Sequence, residues 1–244
     1  MMKCGTAIIL SNTGIAKDTY EMILKTEVAD QAECGQFVQV QVPGYYLRRP
    51  ISIHRVLPDH RLSLIYKVVG DGTRVMSEMA EGEVLDLFGP LGHGFPVLEE
   101  DVVLIGGGVG VPPLAETAAR YRSSGRHVTA VLGFNNASAV FGAEEFRELG
   151  CDVIIATMDG SLGIHGTVID AIKEAGIHPG TVLACGPLPM LRAVAENYNG
   201  YLSLEARMAC GIGACMGCVV KTPDGGSLRV CKDGPVFRTG EVVL

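Results

Sequence analysis

Four cysteines near the C-terminal end constrain this chain more than anything else in it. Cys210, Cys215, Cys218 and Cys231 are spaced C-x4-C-x2-C-x12-C. That fits the plant-type ligand pattern of a [2Fe–2S] cluster, whose two irons, bridged by two sulfides, need four protein thiolates. The first three can come from one tight loop and the last from a separate strand or turn. Gly211, Gly213, Ala214 and Gly217 fill the gaps between the first three. Such small residues let a backbone curl closely around a cluster and aim N–H donors at its sulfurs. A chain with this centre moves electrons one at a time.

Two other readings of the thiols stand beside it. A structural zinc site also takes four thiolates, but usually from two short C-x2–4-C knuckles, and only Cys215 and Cys218 form such a pair. Disulfides are the second. The remaining cysteines, Cys4, Cys34, Cys151 and Cys185, are scattered without pattern, unlike a small secreted disulfide scaffold.

Composition excludes several classes of function. The chain has 244 residues, 48% of them hydrophobic, enough for a substantial core in one to three domains. A net charge of −7 without any basic stretch argues against nucleic acid and anionic membrane as partners. No segment approaches the roughly 20 apolar residues of a membrane span. The apolar run at 7–10 is too brief for a signal peptide. A cytoplasmic location is therefore expected, where thiols stay reduced.

Residues 1–96 read as short strands at about 6–10, 20–25, 36–42, 51–56, 62–68 and 84–88. The clearest is Gln36-Phe-Val-Gln-Val-Gln-Val42, which alternates polar and apolar residues. Turn residues such as Pro43-Gly44, Gly70-Asp71-Gly72 and Gly89-Pro90 punctuate them, and the spacing suggests an antiparallel barrel. From Asp101 the pattern changes. Apolar runs at 102–105, 128–132, 153–156 and 182–184 alternate with helix-like stretches at 113–122, 143–149, 167–175 and 190–197, as in a parallel sheet with helices on both faces. The expected order is a barrel (1–96), a nucleotide-type α/β domain (97–200) and a cysteine segment of little regular structure (201–244).

Within that frame, Arg49-Pro50-Ile51-Ser52 starts a strand; Arg49 could offer a fork of donors to a pyrophosphate and Ser52 a hydroxyl. Ile65-Tyr66-Lys67 and Gly72-Thr73 follow, adding a flat ring, a charge, backbone N–H groups and a hydroxyl. Gly106-Gly107-Gly108-Val109-Gly110 lies between a strand and a helix, where phosphate meets a helix N-terminus. The G-x-G-x-x-G fingerprint is incomplete, with Val111 at the third glycine. Cys185-Gly186-Pro187 ends another apolar run; the thiol could touch a nicotinamide or simply fill the core. Asp159 could accept from a ribose hydroxyl and repel a 2′-phosphate. No Lys or Arg lies between Gly133 and Glu144, so NAD is expected over NADP. The six histidines show no metal-ligand spacing, and His93 reads as a turn residue.

The ordered set Arg49-Pro50-Ile51-Ser52, Gly72-Thr73, Gly106–Gly110 and Cys185-Gly186-Pro187 resembles the ferredoxin reductase-like flavoproteins. The run from Glu205 to Cys218 narrows the likeness to the electron-transfer subunits of type B dihydroorotate dehydrogenases. The resemblance implies FAD on the barrel, held by Arg49, Pro50, Ile51, Ser52, Ile65, Tyr66, Lys67, Gly72 and Thr73. It implies NAD(H) on the α/β domain and a [2Fe–2S] cluster on the four cysteines. It also implies a partner, an FMN-containing dihydroorotate dehydrogenase catalytic subunit in a heterotetramer, oxidising dihydroorotate to orotate with NAD⁺ as final acceptor. A flavin would join two-electron hydride transfer to one-electron transfer, and no side chain of this chain need act as a catalytic acid or base. The rivals are a reductase subunit of another complex, of the sulfide dehydrogenase or ferredoxin–NADP reductase type, and a non-enzymatic zinc module.

Overall fold

The computed structural model describes residues 3–244. Six strands close a barrel: β1 (Lys3–Ala16), β2 (Thr19–Lys25), β3 (Phe37–Val40), β4 (Arg49–Leu57), β5 (Arg61–Lys67) and β6 (Val84–Leu91), in the order β1-β2-β5-β4-β3-β6. All pairings are antiparallel. Alternate residues such as Val38, Val40, Ile53, Leu62, Leu64, Leu85 and Leu87 fill the interior, the period-two burial that the sequence predicts.

One expectation inside the barrel needs correction. The stretch at Gly70-Asp71-Gly72 is not a turn between strands but the start of a helix, α1 (Asp71–Glu78). The Thr73 hydroxyl accepts from the N–H groups of Val69 (3.0 Å) and Gly70 (3.2 Å) and donates to the Gly70 carbonyl. That capping starts the helix despite its glycine. Met76 then anchors it in the barrel core.

The second body is a seven-stranded sheet. Its elements are β7 (Val102–Gly107), α2 (Pro112–Ser123), β8 (Val128–Phe134), α3 (Ala143–Glu148), β9 (Asp152–Thr157), β10 (Ile164–His165), α4 (Val168–Glu174), β11 (Thr181–Cys185), α5 (Leu188–Asn197) and β12 (Gly200–Ser203). The strand order is β10-β9-β8-β7-β11-β12, all parallel. β7 is buried along its whole length, which explains its unbroken apolar run. The chain moves outward from β7 in one direction through β8 and β9, then returns to β11 on the other side. The loops after β7 and β11 therefore diverge at a topological switch point, where ligands of open α/β sheets bind.

The cysteine segment has more structure than its composition suggests. β13 (Val219–Lys221) and β14 (Ser227–Arg229) form a hairpin, and β15 (Val236–Arg238) joins the large sheet antiparallel to β12. The segment also touches the barrel. The His93 N–H donates to the Gly234 carbonyl at 2.6 Å, and His93 bridges Pro235. His93 is thus a joint between barrel and cysteine segment, more than a plain turn residue.

Candidate functional site

A cleft of ≈ 330 Å³ opens where barrel, sheet and cysteine segment meet. The barrel wall is Phe37, Arg49, Pro50, Ile51, Ser52, Ile65, Tyr66, Lys67, Val69 and Thr73. The sheet wall is Val109, Cys185 and Ser203. The third side is the stretch Leu204, Glu205, Ala206 and Met208, which runs on towards Cys210, with Pro235 beside it. The cleft therefore gathers the barrel residues read from the sequence except Gly72, with Cys185 beside them.

β4 and α1 bring the Arg49 guanidinium beside a helix N-terminus on the barrel wall. The Arg49 guanidinium crosses the first turn of α1 so closely that a Cβ at Gly72 would stand 2.2 Å from its Nε. A side chain at position 72 would displace the guanidinium from this place. The guanidinium also lies 4.4 Å from the Tyr45 ring centroid, a cation–π contact, and donates to the Leu47 carbonyl. A fork of donors beside a helix N-terminus suits a phosphate. Tyr66 contributes its ring and not its hydroxyl. That O–H donates to Asn12 Oδ1 at 2.8 Å, and burial raises its pKa above the ordinary phenol value. The Thr73 hydroxyl is likewise engaged in capping, so the open donors here are backbone N–H groups of α1.

At the switch point two turns touch. Gly106 and Cys185 are register partners of β7 and β11. A Cβ at Gly110 would meet the Cys185 carbonyl oxygen at 2.2 Å, and one at Gly186 would meet Gly107 Cα at 3.1 Å. These glycines are needed for close packing of the two turns as well as for any approach of phosphate. Gly108 has φ +52 and open space around it. Cys185 is 2% exposed, and burial, followed by the nearby Glu205 carboxylate, pushes its thiol up to about 12. It is a neutral thiol at the cleft wall. Glu205 keeps an exposed flank, yet desolvation raises its carboxyl pKa. Asp159 lies outside the cleft, beyond β9 and two strands from β7, about 10 Å by ordinary strand spacing. Its Oδ1 accepts from the Ser161 N–H and hydroxyl, which lower its pKa.

The cysteine loop turns on Gly211, Gly213 and Met216, with φ of +70°, +80° and +59°. These turns point N–H groups at sulfur. Gly213 donates to Cys231 Sγ (3.1 Å), Ala214 and Cys215 to Cys210 Sγ (3.3 and 3.4 Å), and Cys231 to Cys218 Sγ (3.4 Å). Burial opposes ionisation of Cys210, but the N–H groups of Ile212, Cys215 and Ala214 and the Cys215 thiol bring it down to about 6. Cys231 is pushed up to about 12 by burial and by the Cys218 thiol. Arg229 braces the loop, bonding the Gly213 carbonyl and Asp233.

This donor set fits a [2Fe–2S] centre. Among the described residues no three Cys, His, Asp or Glu side chains converge as the ligands of one ion would. The thiols pair off instead, Cys210 with Cys215 and Cys218 with Cys231, each pair close enough for one thiol to act on the ionisation of the other. Two pairs match two irons, and N–H donors aimed at sulfur match an anionic cluster. A single tetrahedral zinc calls for all four sulfurs about one point.

Sequence reasoning missed Phe37, Val69, Val109, Glu205 and Met208 as cleft residues. Phe37 was visible only as one member of an alternating strand. Met208 sits two places before Cys210, and that proximity was the available signal.

Comparison with known proteins agrees with this geometry. Residues 205–243 match the family model described as the iron-sulfur cluster binding domain of dihydroorotate dehydrogenase B. The chain is 44% identical to the dihydroorotate dehydrogenase B (NAD(+)), electron transfer subunit, of Bacillus mycoides (strain KBAB4), over 100% of both chains. The same figures hold for its namesake from Bacillus cereus (strain G9842). Among solved structures, that of an NADH-dependent reduced ferredoxin-NADP oxidoreductase superposes with a TM-score of 0.90 at 29% identity, covering 97% of this chain and 89% of that one. The Amycolatopsis cytochrome P450 reductase GcoB follows at 0.70 and 25%, covering 80% and 65%. With such identity along its full length, the chain belongs to the family of dihydroorotate dehydrogenase B electron transfer subunits.

Proposed function

We propose that this chain carries electrons between NAD(H), an FAD and a [2Fe–2S] cluster and the FMN of a catalytic dihydroorotate dehydrogenase subunit, in the pathway that makes pyrimidines. The net reaction takes dihydroorotate to orotate with NAD⁺ as acceptor. One observation carries the reading: a single cleft is walled by Arg49, by Cys185 at the sheet's switch point and by the stretch leading into Cys210. The bound flavin would supply the exchange between hydride and single electrons.

The residues supply binding and geometry. Arg49, Gly72 and Thr73, with the N-terminus of α1, would hold the FAD pyrophosphate, the backbone N–H groups acting where the Thr73 hydroxyl is engaged. Pro50, Ile51, Ser52, Ile65, Tyr66 and Lys67 would wall the flavin. Gly106, Gly107, Gly108, Gly110, Cys185 and Gly186 would receive the nicotinamide nucleotide, with Asp159 towards its ribose and against a 2′-phosphate. Cys210, Cys215, Cys218 and Cys231 would ligate the cluster. Residues 1–96, 97–200 and 201–244 divide these tasks, with the last lending most of β12 and all of β15 to the sheet. The assembly would be a heterotetramer of two chains of each kind, working in the cytoplasm. No described helix is long and apolar enough to cross a membrane. Identity of 44% along the full length favours this family over the reductase-type rival seen at 29%.

The test pairs the purified chain with a catalytic subunit. Alone, it should reduce artificial dyes with NADH and form no orotate; with the partner, dihydroorotate should reduce NAD⁺. Cys218→Ser should stop that transfer while FAD stays bound. Orotate formation by the chain alone, or full transfer by the variant, contradicts the proposal.

A further inference from the structure

β3 lies between the cleft and the cysteine loop. Its residues alternate: Val38 and Val40 point into the barrel core, while Phe37 lies on the other side, in the buried cluster that also holds Leu91, Cys218 and Cys231. Gln39 shares the outward face with Phe37. It is completely buried, and neither Nε2 nor Oε1 of its carboxamide has a hydrogen-bond partner. Leaving a buried polar group unpaired is costly, and folded proteins rarely tolerate it.

The surroundings identify the partner. A Cβ placed on Gly211 would lie 2.5 Å from Gln39 Nε2 and 3.1 Å from its Cδ. The amide thus fills the space that a side chain at position 211 would occupy, immediately beside Cys210. A thiolate or cluster sulfide accepts hydrogen bonds and does not donate them, and the amide end nearest the loop is the NH₂. Cys210 Sγ already accepts N–H groups from Ala214 and Cys215, so this is a place where donors collect.

We propose that the Gln39 carboxamide donates a hydrogen bond to a sulfur of the iron–sulfur centre on its Cys210 side, and so helps to set that centre's reduction potential. The inference rests on the cluster reading above. Reduction adds negative charge to the cluster, and a donor at sulfur stabilises the reduced form more than the oxidised one, raising the potential. The donor comes from the barrel and not from the cysteine segment. Gln39 pairs with Pro50, and Phe37 with Ser52, so one strand pair presents both cleft residues and the amide. The barrel thereby holds the flavin site and the cluster environment in one rigid element.

The experiment is a redox titration of the cluster in the FAD-loaded protein, followed by electron paramagnetic resonance. Gln39→Leu keeps the volume and removes the donor. The equilibrium constant for cluster reduction should fall about tenfold, which is about 59 mV for a one-electron couple, with iron, sulfide and FAD content unchanged. Gln39→Glu exchanges the donor for a carboxylate and should move the potential further in the same direction. Gln39→Met replaces the leucine variant if that one loses its iron. An unchanged or raised potential in a fully loaded variant overturns the role of Gln39 and leaves the cluster standing. A wild-type protein without an iron–sulfur signal overturns the reading beneath both.

Discussion

The barrel is fastened to the rest of the chain along two seams built from opposite materials. The first is ionic. His54 and Arg55 on β4 reach Glu145 on α3 at 2.8 and 2.7 Å, and Arg55 reaches Glu116 on α2 at 3.2 Å. Glu116, 4% exposed, also accepts from the Val56 N–H and from Arg120. The second seam is dry and small. Phe37 and Leu91 share one buried cluster with Cys218, Cys231, Val230 and Phe237, and Gly92 lies directly against Pro235. Charged contacts orient two bodies but respond to proton concentration. Glycine and apolar contacts set closeness and are indifferent to pH. The proposed electron route crosses the second seam, whose apolar side chains are buried.

The comparison breaks most visibly at Gly92. It has φ +76, and a Cβ there would meet Pro235 Cδ at 2.5 Å and the Gly234 carbonyl at 2.8 Å. Gly92→Ala combines left-handed strain of about 1–2 kcal/mol with overpacking of about 1–3 kcal/mol. A loss of about 3 kcal/mol is expected in urea unfolding, and the cluster absorption should disappear at lower urea than the flavin signal. Simultaneous loss of both signals would show that the dry seam does not serve the cluster in particular.

Gly211 comes next. With φ +70 its replacement by Ala costs about 1–2 kcal/mol, since the neighbouring Gln39 amide is the far end of a flexible side chain and can swing away. Cluster content should survive in Gly211→Ala while its potential shifts. An unshifted potential would separate the seam from the tuning of the centre.

The smallest effect belongs to the ionic seam and to pH. Burial alone would lower the pKa of His54, but Glu145 and Glu21 raise it above its ordinary 6.5. Burial raises that of Glu145, but His54 and Arg55 bring it below its ordinary 4.5. Ser63 is the remaining polar group on the His54 ring, at 2.9 Å. A raised histidine stabilises the fold fully below about pH 6.5 and loses that contribution as pH rises through its folded value; a lowered glutamate loses its contribution as pH falls through its folded value. The seam is therefore strongest between about pH 4.5 and 6.5. Relative to His54→Gln, the wild-type chain should be about 1 kcal/mol more stable in that window, and the difference should shrink on going to pH 9. A pH-independent difference in melting temperature would mean that His54 is neutral throughout.

The two seams also mark where sequence reasoning ends. The barrel strands were legible because they bury side chains at a local period, and the sheet strands because they are short unbroken apolar runs such as β7. The cysteine loop was legible because its ligands lie close together in the chain. α1 was not, since Gly70 and Gly72 read as a turn and the capping hydroxyl of Thr73 outweighs them. The seams were invisible for a different reason: His54 meets Glu145 and Gln39 meets Gly211 only through tertiary packing, and nothing local in β3 or β4 announces either contact. The cleft stands between these cases. Its barrel wall was read from Arg49 through Thr73, while Phe37, Glu205 and Met208 required the fold to bring them in.

The central claim, that Cys210, Cys215, Cys218 and Cys231 hold a di-iron centre beside a flavin, is tested most directly by composition. Protein purified without oxygen should contain two irons, two acid-labile sulfides and one FAD per chain. A chain with bound zinc and no labile sulfide, or with FAD and no iron, would contradict it.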